Sequence, residues 1–413
     1  MKIGYLMQEG VEIRRPPFNG PANHVRHVCR ELERRGHEVR VLTRIEGRIW
    51  KSDDLVHFEP VAVRGLDRGP LRLMERAVRR IQSELQLPYA AMFESVRFAR
   101  ACLQELRGCD LFHERLCWVA YGGGLAASWL HIPVVLEDNG DPLLDLESKG
   151  IAPQGMQRSL SIALMRCAVK HSAHVVSTGV GWRQQFIQRW RFEPERVSAV
   201  ENGTTLVNLL SREQLRSFSP VEDSNDPVAL VYLGGFYPWH GIPVLLPAFA
   251  QALAQGVRAR LLLIGAGDGL SEAQHLVSVL NLGGSVTFAG SLAPEQYSGL
   301  LAQADIGLSP YCGWPEFSGL KILDYKAAGL PTITSGKDGQ PPTIKAGETG
   351  LIVPPCNQDS LRNAIARLCA DRELRRSMGR AARLEAEQVH GWEHTARQLE
   401  VIFLKVLSER ERN

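Results

Sequence analysis

At 413 residues the chain exceeds what one ordinary core organises, so two domains of roughly 150–200 residues are expected. Hydrophobic residues make up 44% and charged residues 23%, a globular balance that excludes intrinsic disorder. The formal charge of +3 excludes a whole-protein nucleic-acid footprint, and no run of about 18 apolar residues is present to span a bilayer. "MKIGYLMQEG" has no long apolar stretch before Gln8 and Glu9, so no signal peptide is expected. The eight cysteines are scattered, with no C-x-x-C pair and no Cys/His ligand spacing. They read as small buried hydrophobes of a reducing cytoplasm, without a disulfide framework.

In chain order, "KIGYLM" predicts a strand, followed by a loop carrying Pro16, Pro17, Gly20 and Pro21. Val25, Val28, Cys29 and Leu32 then recur at helical spacing, Gly36 stops that helix, and "EVRVLTR" predicts the next strand. Strand, helix and strand at this spacing form a βαβ unit with a parallel sheet. The pattern resumes at "IPVVLEDNG" and "AHVVSTG", giving one α/β domain over residues 1–208. Residues 211–227 are polar and proline-containing, a linker. The alternation restarts with strands at "VALVYLGG", "ARLLLIGAG", "SVTFAG" and "IGLSPY", separated by helices at "VLLPAFAQALAQ", "LSEAQHLVSVLN" and "EQYSGLLAQA". A second doubly wound domain therefore covers 226–385, and a last helix within 386–413 carries Ala396, Leu399, Phe403 and Val406 near one face. The fold class is α/β, two Rossmann-like domains facing a central cleft. Ligands of such sheets bind beyond the carboxyl ends of the strands.

"LLLIGAGDGL" falls short of a dinucleotide fingerprint because Leu270 stands where the third glycine belongs. Gly265 and Gly267 still suit a backbone that something approaches closely. No P-loop, nucleophile elbow or D-x-D pair occurs. "LEDNGD" offers Glu137, Asp138 and Asp141, as a metal site or as a capped turn. In "WPEFSGLKILDYKAAGLP", Gly313–Ser318 reads as a loop and a helix starts near Gly319, with Leu320, Leu323 and Ala327 on its buried side. A helix start after a strand is an anion site. Lys321 in the first turn is disfavoured by roughly 0.3–1 kcal/mol unless an anion offsets it. Glu316 and Asp324, as carboxylates, accept from sugar hydroxyls. The plainer reading is a solvated helix start with a Lys321–Asp324 pair.

These residues carry a resemblance. The chain resembles the retaining family-4 glycosyltransferases of the GT-B fold, whose signature is E-x-F-G-L-x-x-x-E followed by A-x-x-A/C-G-x-P. Here it reads Glu316-Phe317-Ser318-Gly319-Leu320-Lys321-Ile322-Leu323-Asp324, then Ala327-Ala328-Gly329-Leu330-Pro331. Gly20, "ENGT", "LGGFYPWHG", "LLIGAG", "VTFAGSL" and "HGWEHTARQLEVIF" fall in the family's order. The resemblance implies that Glu316 binds hydroxyls of the transferred sugar, that Asp324 holds the ribose, and that backbone N–H groups around Ser318, Gly319 and Leu320 bind the diphosphate. Gly290, Ser291 and Leu292 would line the base. Gly20, Gly235, Phe236, Gly265 and Gly267 would line the donor, the glycines letting backbone close on it.

Several positions depart from the family pattern. Phe236 and His240 stand where many members carry arginine and lysine, Asn139 replaces a common histidine, and Asp324 replaces glutamate. A protonated His240 together with Lys321 is expected to neutralise the diphosphate, which makes activity depend on pH. The implied activity is metal-independent, retaining, front-face hexosyl transfer from a UDP- or GDP-sugar to a hydroxyl or amine acceptor, with no cofactor and no nucleic acid. Glu316, Lys321, His240 and Asn139 would carry the catalysis. The acceptor would be a lipid-linked glycan, a polysaccharide or a small metabolite. Alternatives are a GT-B-like phosphorylase or hydrolase, and a nucleotide-sugar-binding protein without turnover. Residues 64–88 carry six arginines by Arg80 and an apolar stripe of Leu71, Met74, Val78 and Ile81, marking either a core-facing helix or a peripheral contact with an anionic membrane at its cytoplasmic face.

Overall fold

Apolar runs bounded by glycine set the strands, and the computed structural model arranges them in two units. It describes all residues except 17, 19, 64–69, 85–91, 149, 212, 216–225, 314–318, 337–342 and 413. Unit 1 comprises Met1–Glu201 with Thr395–Asn413, and unit 2 comprises Asn202–His394. The divisions thus fall at 201/202 and 394/395, where the sequence suggested 208 and 385.

Unit 1 runs β1 (Lys2–Met7), α1 (Gly20–Arg34), β2 (Glu38–Ile45), β3 (Arg48–Ser52), β4 (Glu59–Pro60), α2 (Pro70–Glu84), α3 (Met92–Glu105) and β5 (Leu111–Arg115). It continues with α4 (Gly122–Leu130), β6 (Val134–Asp138), α5 (Pro142–Ser148), α6 (Gly155–Lys170), β7 (His174–Ser177), α7 (Val180–Trp190) and β8 (Val197–Ala199). The sheet order is β4-β3-β2-β1-β5-β6-β7-β8. It is parallel except at β3 and β4, an antiparallel extension that the sequence reading did not include. Glu46 (φ 52°) and Gly47 (φ 75°) form the two-residue turn between β2 and β3, the left-handed geometry that matches hairpin twist. As the periodicity predicts, Val25, Val28, Cys29 and Leu32 of α1 are buried.

Unit 2 runs α8 (Leu206–Leu209), β9 (Val228–Leu233), α9 (Ile242–Ala254), β10 (Ala259–Ile264), α10 (Leu270–Val279), β11 (Val286–Gly290), α11 (Pro294–Ala302), β12 (Ile306–Ser309) and α12 (Leu320–Ala327). Next come β13 (Thr332–Ser335), β14 (Gly350–Val353), α13 (Gln358–Ala370), α14 (Arg372–Val389) and the start of α15 (Trp392–Glu411), which runs on into unit 1. Its sheet is wholly parallel, ordered β11-β10-β9-β12-β13-β14. Strand order therefore reverses between β9 and β12, a switch point of the kind beyond whose carboxyl ends ligands of open α/β sheets bind. The core beneath it holds Leu230, Tyr232, Phe236, Leu245, Phe249, Leu263 and Leu308. Gly329 (φ 73°) ends α12 in the left-handed conformation, and Arg383 of α14 donates to the freed Ala327 carbonyl. In unit 1, the α15 stripe of Ala396, Leu399, Phe403 and Val406 is buried, with the Phe403 ring edge-on to His113.

Candidate functional site

Beyond the carboxyl ends of β9 and β12, Tyr325 of α12 holds the two strands together where they diverge. Its hydroxyl accepts from the Leu233 amide (2.7 Å) and donates to the Leu308 carbonyl (3.0 Å). Above it α12 begins at Gly319, which adopts φ 60° as N-cap and supplies no side-chain cap. The N–H groups of that first turn carry the positive end of the helix dipole. Lys321 lies here, only 8% exposed. Its Nζ stands 5.1 Å from the Tyr232 ring and 4.7 Å from the Tyr311 ring, and donates to the Tyr311 hydroxyl at 3.4 Å. Two aromatic faces thus hold the ammonium in cation–π geometry. Gly234 (φ 145°) passes so close that a Cβ there would lie 2.9 Å from the ammonium nitrogen.

His240 completes this cluster. Its Nδ1–H donates to the Gly235 carbonyl (2.6 Å), which also accepts from Tyr232 Oη (2.6 Å), and Tyr311 Oη reaches its Nε2 (3.4 Å). Burial and the Lys321 charge push the imidazole down to about 3, against the raising effect of the Gly235 bond. This corrects the expectation of a protonated His240: the ring is neutral near pH 7 and orients Tyr311 instead of adding a cation.

Phe236 also requires correction. It is 1% exposed, edge-on to Tyr232 and packed near Phe288, so its side chain belongs to the core and cannot touch a donor. A Cβ on Gly235 would meet the Tyr237 ring at 2.6 Å and lie 3.5 Å from His240, so this turn is closely packed. Gly265 (φ 142°) and Gly267 (φ 150°) are required by backbone packing: Cβ atoms there would meet Gly234 O at 1.8 Å and Phe236 N at 2.8 Å. Gly290 (φ 72°) faces open space, Ser291 is exposed and Leu292 is half-buried.

Asp324, one turn along α12, accepts from Thr204 Oγ1 (2.6 Å) and Tyr297 Oη (2.8 Å). Burial raises its carboxyl to about 6, opposed by those two hydrogen bonds. Thr204 lies in the "ENGT" turn, but neither it nor Tyr297 was singled out from sequence as a partner of Asp324. Tyr232 and Tyr311 were hidden within strand patterns. Glu316 and Ser318 lie outside the described residues, whereas Leu320 is half-buried at the first helical position.

In unit 1, Gly20 is the first residue of α1, and Arg26 of that helix donates to Ile13 O (2.9 Å) and Leu55 O (2.7 Å). Asn139 follows β6 and donates its amide to Glu137. Burial would raise the Glu137 carboxyl, but His24, His113 and Arg115 around it hold it well below its ordinary value. Asp138 accepts from Ser177 (2.9 Å), and Asp141 from Arg189 (2.5 Å). The acids of "LEDNGD" are therefore in structural pairings, and no metal-holding cluster of His, Cys, Asp and Glu occurs among the described residues.

Cys312, just after Tyr311, is joined by a disulfide to Cys356, which corrects the expectation of thiols only. A cavity of about 830 Å³ opens at the opposite, amino ends of the unit 2 strands, near Val228, Arg260 and Pro331. Two of its arginines are committed to carbonyls, Arg375 to Leu368 and Cys369, and Arg383 to Ala327.

Residues 19–203 match the Glycosyl transferase 4-like domain and residues 214–385 match Glycosyl transferases group 1. The chain belongs to the group 1, family 4 glycosyltransferases. This glycosyltransferase is 25% identical over 399 residues to the D-inositol 3-phosphate glycosyltransferase of Saccharomonospora viridis, across 93% of this chain and 89% of that one. The match to the protein of that name from Rhodococcus opacus, 24% identical, spans 55% of this chain and only 52% of the relative. Among solved structures, Anabaena HepE in complex with UDP aligns with a TM-score of 0.71 at 17% identity, over 98% of this chain and 100% of that one. The fold is GT-B.

Proposed function

We propose that this glycosyltransferase moves a hexosyl group from a nucleotide-diphosphate sugar to an acceptor hydroxyl, with retention and without a metal. The observation that carries the reading is the buried Lys321 ammonium at the β9/β12 switch point, in the first turn of α12, whose N-cap Gly319 supplies no side-chain cap. Charge and dipole there favour a diphosphate, and the ammonium supplies the compensation that a cation would otherwise bring. The Anabaena neighbour, solved with UDP and with UDP-glucose, supports a nucleotide-sugar partner.

In this reading the departing phosphate oxygen takes the acceptor's proton on the face it leaves, so the protein contributes positioning and charge stabilisation. Lys321 stabilises the developing negative charge, and Tyr311, oriented by neutral His240, fixes the ammonium. Asp324 receives a ribose hydroxyl through lone pairs that Thr204 and Tyr297 leave open. Glu316 and the backbone at Ser318 are proposed for the sugar and the diphosphate, and Asn139 for the acceptor. Incubating each nucleotide sugar with candidate acceptors and resolving the anomeric configuration of the product by NMR tests the reading. Inverted product would refute retention, and free sugar or sugar phosphate alone would favour a hydrolase or phosphorylase.

The acceptor side has a membrane element in this reading. On α2, Glu75 is 6% exposed and paired with Arg79 and Arg97, while Leu73, Met74 and Ile81 are 66%, 50% and 51% exposed. The charged face is the attached one and the apolar face is outward, beside exposed Arg76 and Arg80. That pairing suits the cytoplasmic surface of an anionic bilayer carrying a lipid-linked acceptor. Co-sedimentation should rise with anionic lipid and fall with salt, and binding indifferent to both would refute the contact. No helix among the described residues is long and apolar enough to cross a membrane.

A further inference from the structure

The strap that carries Tyr311 into the Lys321 cluster is fixed on both sides. Toward β9, the Cys312 amide donates to Trp239 O at 2.9 Å, and Pro310 O occupies the place a Cβ on Gly241 would take, 1.3 Å away. Toward β14, the disulfide joins Cys312 to Cys356, 44 residues later, with the two Cα atoms 4.7 Å apart. Cys356 follows Pro354 and Pro355 on the turn after β14, is exposed, and adopts φ 58°. Cys312 is half-buried, and Gly313 beyond it faces open space.

We propose that Cys312 and Cys356 are a reversible thiol–disulfide pair that sets how firmly unit 2 holds a nucleotide diphosphate. The proposal rests on the reading of the Lys321 cluster as the diphosphate site. When the bond is present, the residue next to Tyr311 is covalently held to the sheet edge, and Tyr311 meets Lys321 and His240 in one arrangement. When it is absent, the strap keeps its amide bond to Trp239 but is released from the β14 turn, and the ammonium must be ordered again as the ligand binds.

A low-molecular-weight disulfide such as oxidised glutathione is the electron acceptor. The exposed Cys356 thiolate attacks one of its sulfurs, forming a mixed disulfide and releasing one glutathione thiolate. The Cys312 thiolate then attacks the Cys356 sulfur and displaces the second. The protein loses two electrons and two protons as two glutathione molecules form, and excess glutathione reverses both steps. An exposed bond of this kind is the labile sort, unlike a buried structural one. The remaining described cysteines do not compete. Cys29 and Cys102 are fully buried, and burial raises the Cys109, Cys117 and Cys369 thiols to about 11, 12 and 11.

The test uses the full chain equilibrated across glutathione/glutathione disulfide ratios, alkylated, and mapped by peptide mass. UDP, GDP, ADP and TDP affinities of the oxidised and reduced forms are then measured by calorimetry. The two thiols should disappear together, and the oxidised form should bind one diphosphate about tenfold tighter, roughly the weight of ordering one backbone residue. Cys356→Ser should bind like the reduced protein under every condition, and Cys369→Ser should keep the response. Failure of the bond to form in glutathione disulfide, or equal affinity in both forms, would overturn the proposal. Absence of binding in both forms would overturn the diphosphate site itself, while the thiol map still reports whether the bond exists.

Discussion

Replacing Lys321 by methionine keeps the length of the stem to Cε and removes the ammonium, with its charge and its bond to Tyr311. The ammonium is 8% exposed between the Tyr232 and Tyr311 rings, so water screens it poorly. Two unit charges about 4 Å apart, at an effective dielectric of about 20, interact by roughly 4 kcal/mol, or about 10³ in rate. Loss of one preorganised donor to a developing anion typically lowers rate by about 10²–10³. The two routes agree, so Lys321→Met should lower kcat/KM by about 10²–10³. The fall should be shared between KM, because the donor already carries the diphosphate charge when it binds, and kcat, because that charge grows as the bond to the sugar breaks. Lys321→Arg should rescue little, since a planar guanidinium does not fit where a Cβ on Gly234 would already lie 2.9 Å from Nζ. The assay is steady-state transfer with donor varied, alongside a melting curve to establish that the variant folds. Turnover within about threefold of wild type in a folded Lys321→Met protein would remove the ammonium from the mechanism.

Asp324, raised to about 6 by burial, accepts better once ionised, so nucleotide affinity should rise as pH passes through about 6 and lose that rise in Asp324→Asn. A raised carboxyl is stabilising in its neutral form, so its contribution is present below the ordinary value of about 3.8 and lost as pH climbs through about 6; urea titrations of the two proteins at pH 4 and pH 7 measure it. His240 runs the other way. With its pKa lowered to about 3, the unfolded chain takes up a proton below about 6.5 that the folded ring refuses, so stability falls as pH drops from about 6.5 toward 3. His240→Gln should lessen that acid sensitivity, and turnover between pH 6 and 8 should show no ionisation traceable to His240; an imidazole NMR titration midpoint near 6.5 would contradict both. Gly265→Ala places a Cβ 1.8 Å from Gly234 O at φ 142°, so it should destabilise by at least about 1 kcal/mol and loosen the loop before Phe236, lowering the melting point by several degrees. An unchanged melting point would contradict the assigned packing.

The second domain was legible in the sequence because β9, α9 and β10 are apolar runs of the right length, each closed by glycine or a polar turn. The first domain was harder to read. β5 is "LFHER", all five residues buried, yet three are polar because Glu114 pairs with Gln8 and Arg115 with Glu9 and Glu137, so its pattern does not look like a strand. The start of α12 and the place of Lys321 could be read from Gly319 and the spacing of apolar residues. The roles within "LGGFYPWHG" could not. Where the Phe236 ring goes depends on how the chain leaves β9, and the fold turns it into the core. Burial decides the charge of His240, which its own sequence neighbours do not reveal. Nothing in the spacing of Cys312 and Cys356 signals a bond, since their approach follows from the neighbouring turns after β12 and β14.

A nucleotide diphosphate that sits against Lys321 at the β9/β12 switch point must depend on the ammonium for its binding. Thermal unfolding of the wild type and Lys321→Met with UDP-, GDP-, ADP- and TDP-sugars tests it most directly. A ligand at about 100 times its Kd adds roughly 2.7 kcal/mol of stability, well within detection. One nucleotide should stabilise the wild type, and the methionine variant, equally stable alone, should lose that gain. A gain that survives the loss of the ammonium, or no gain with any nucleotide, would contradict it.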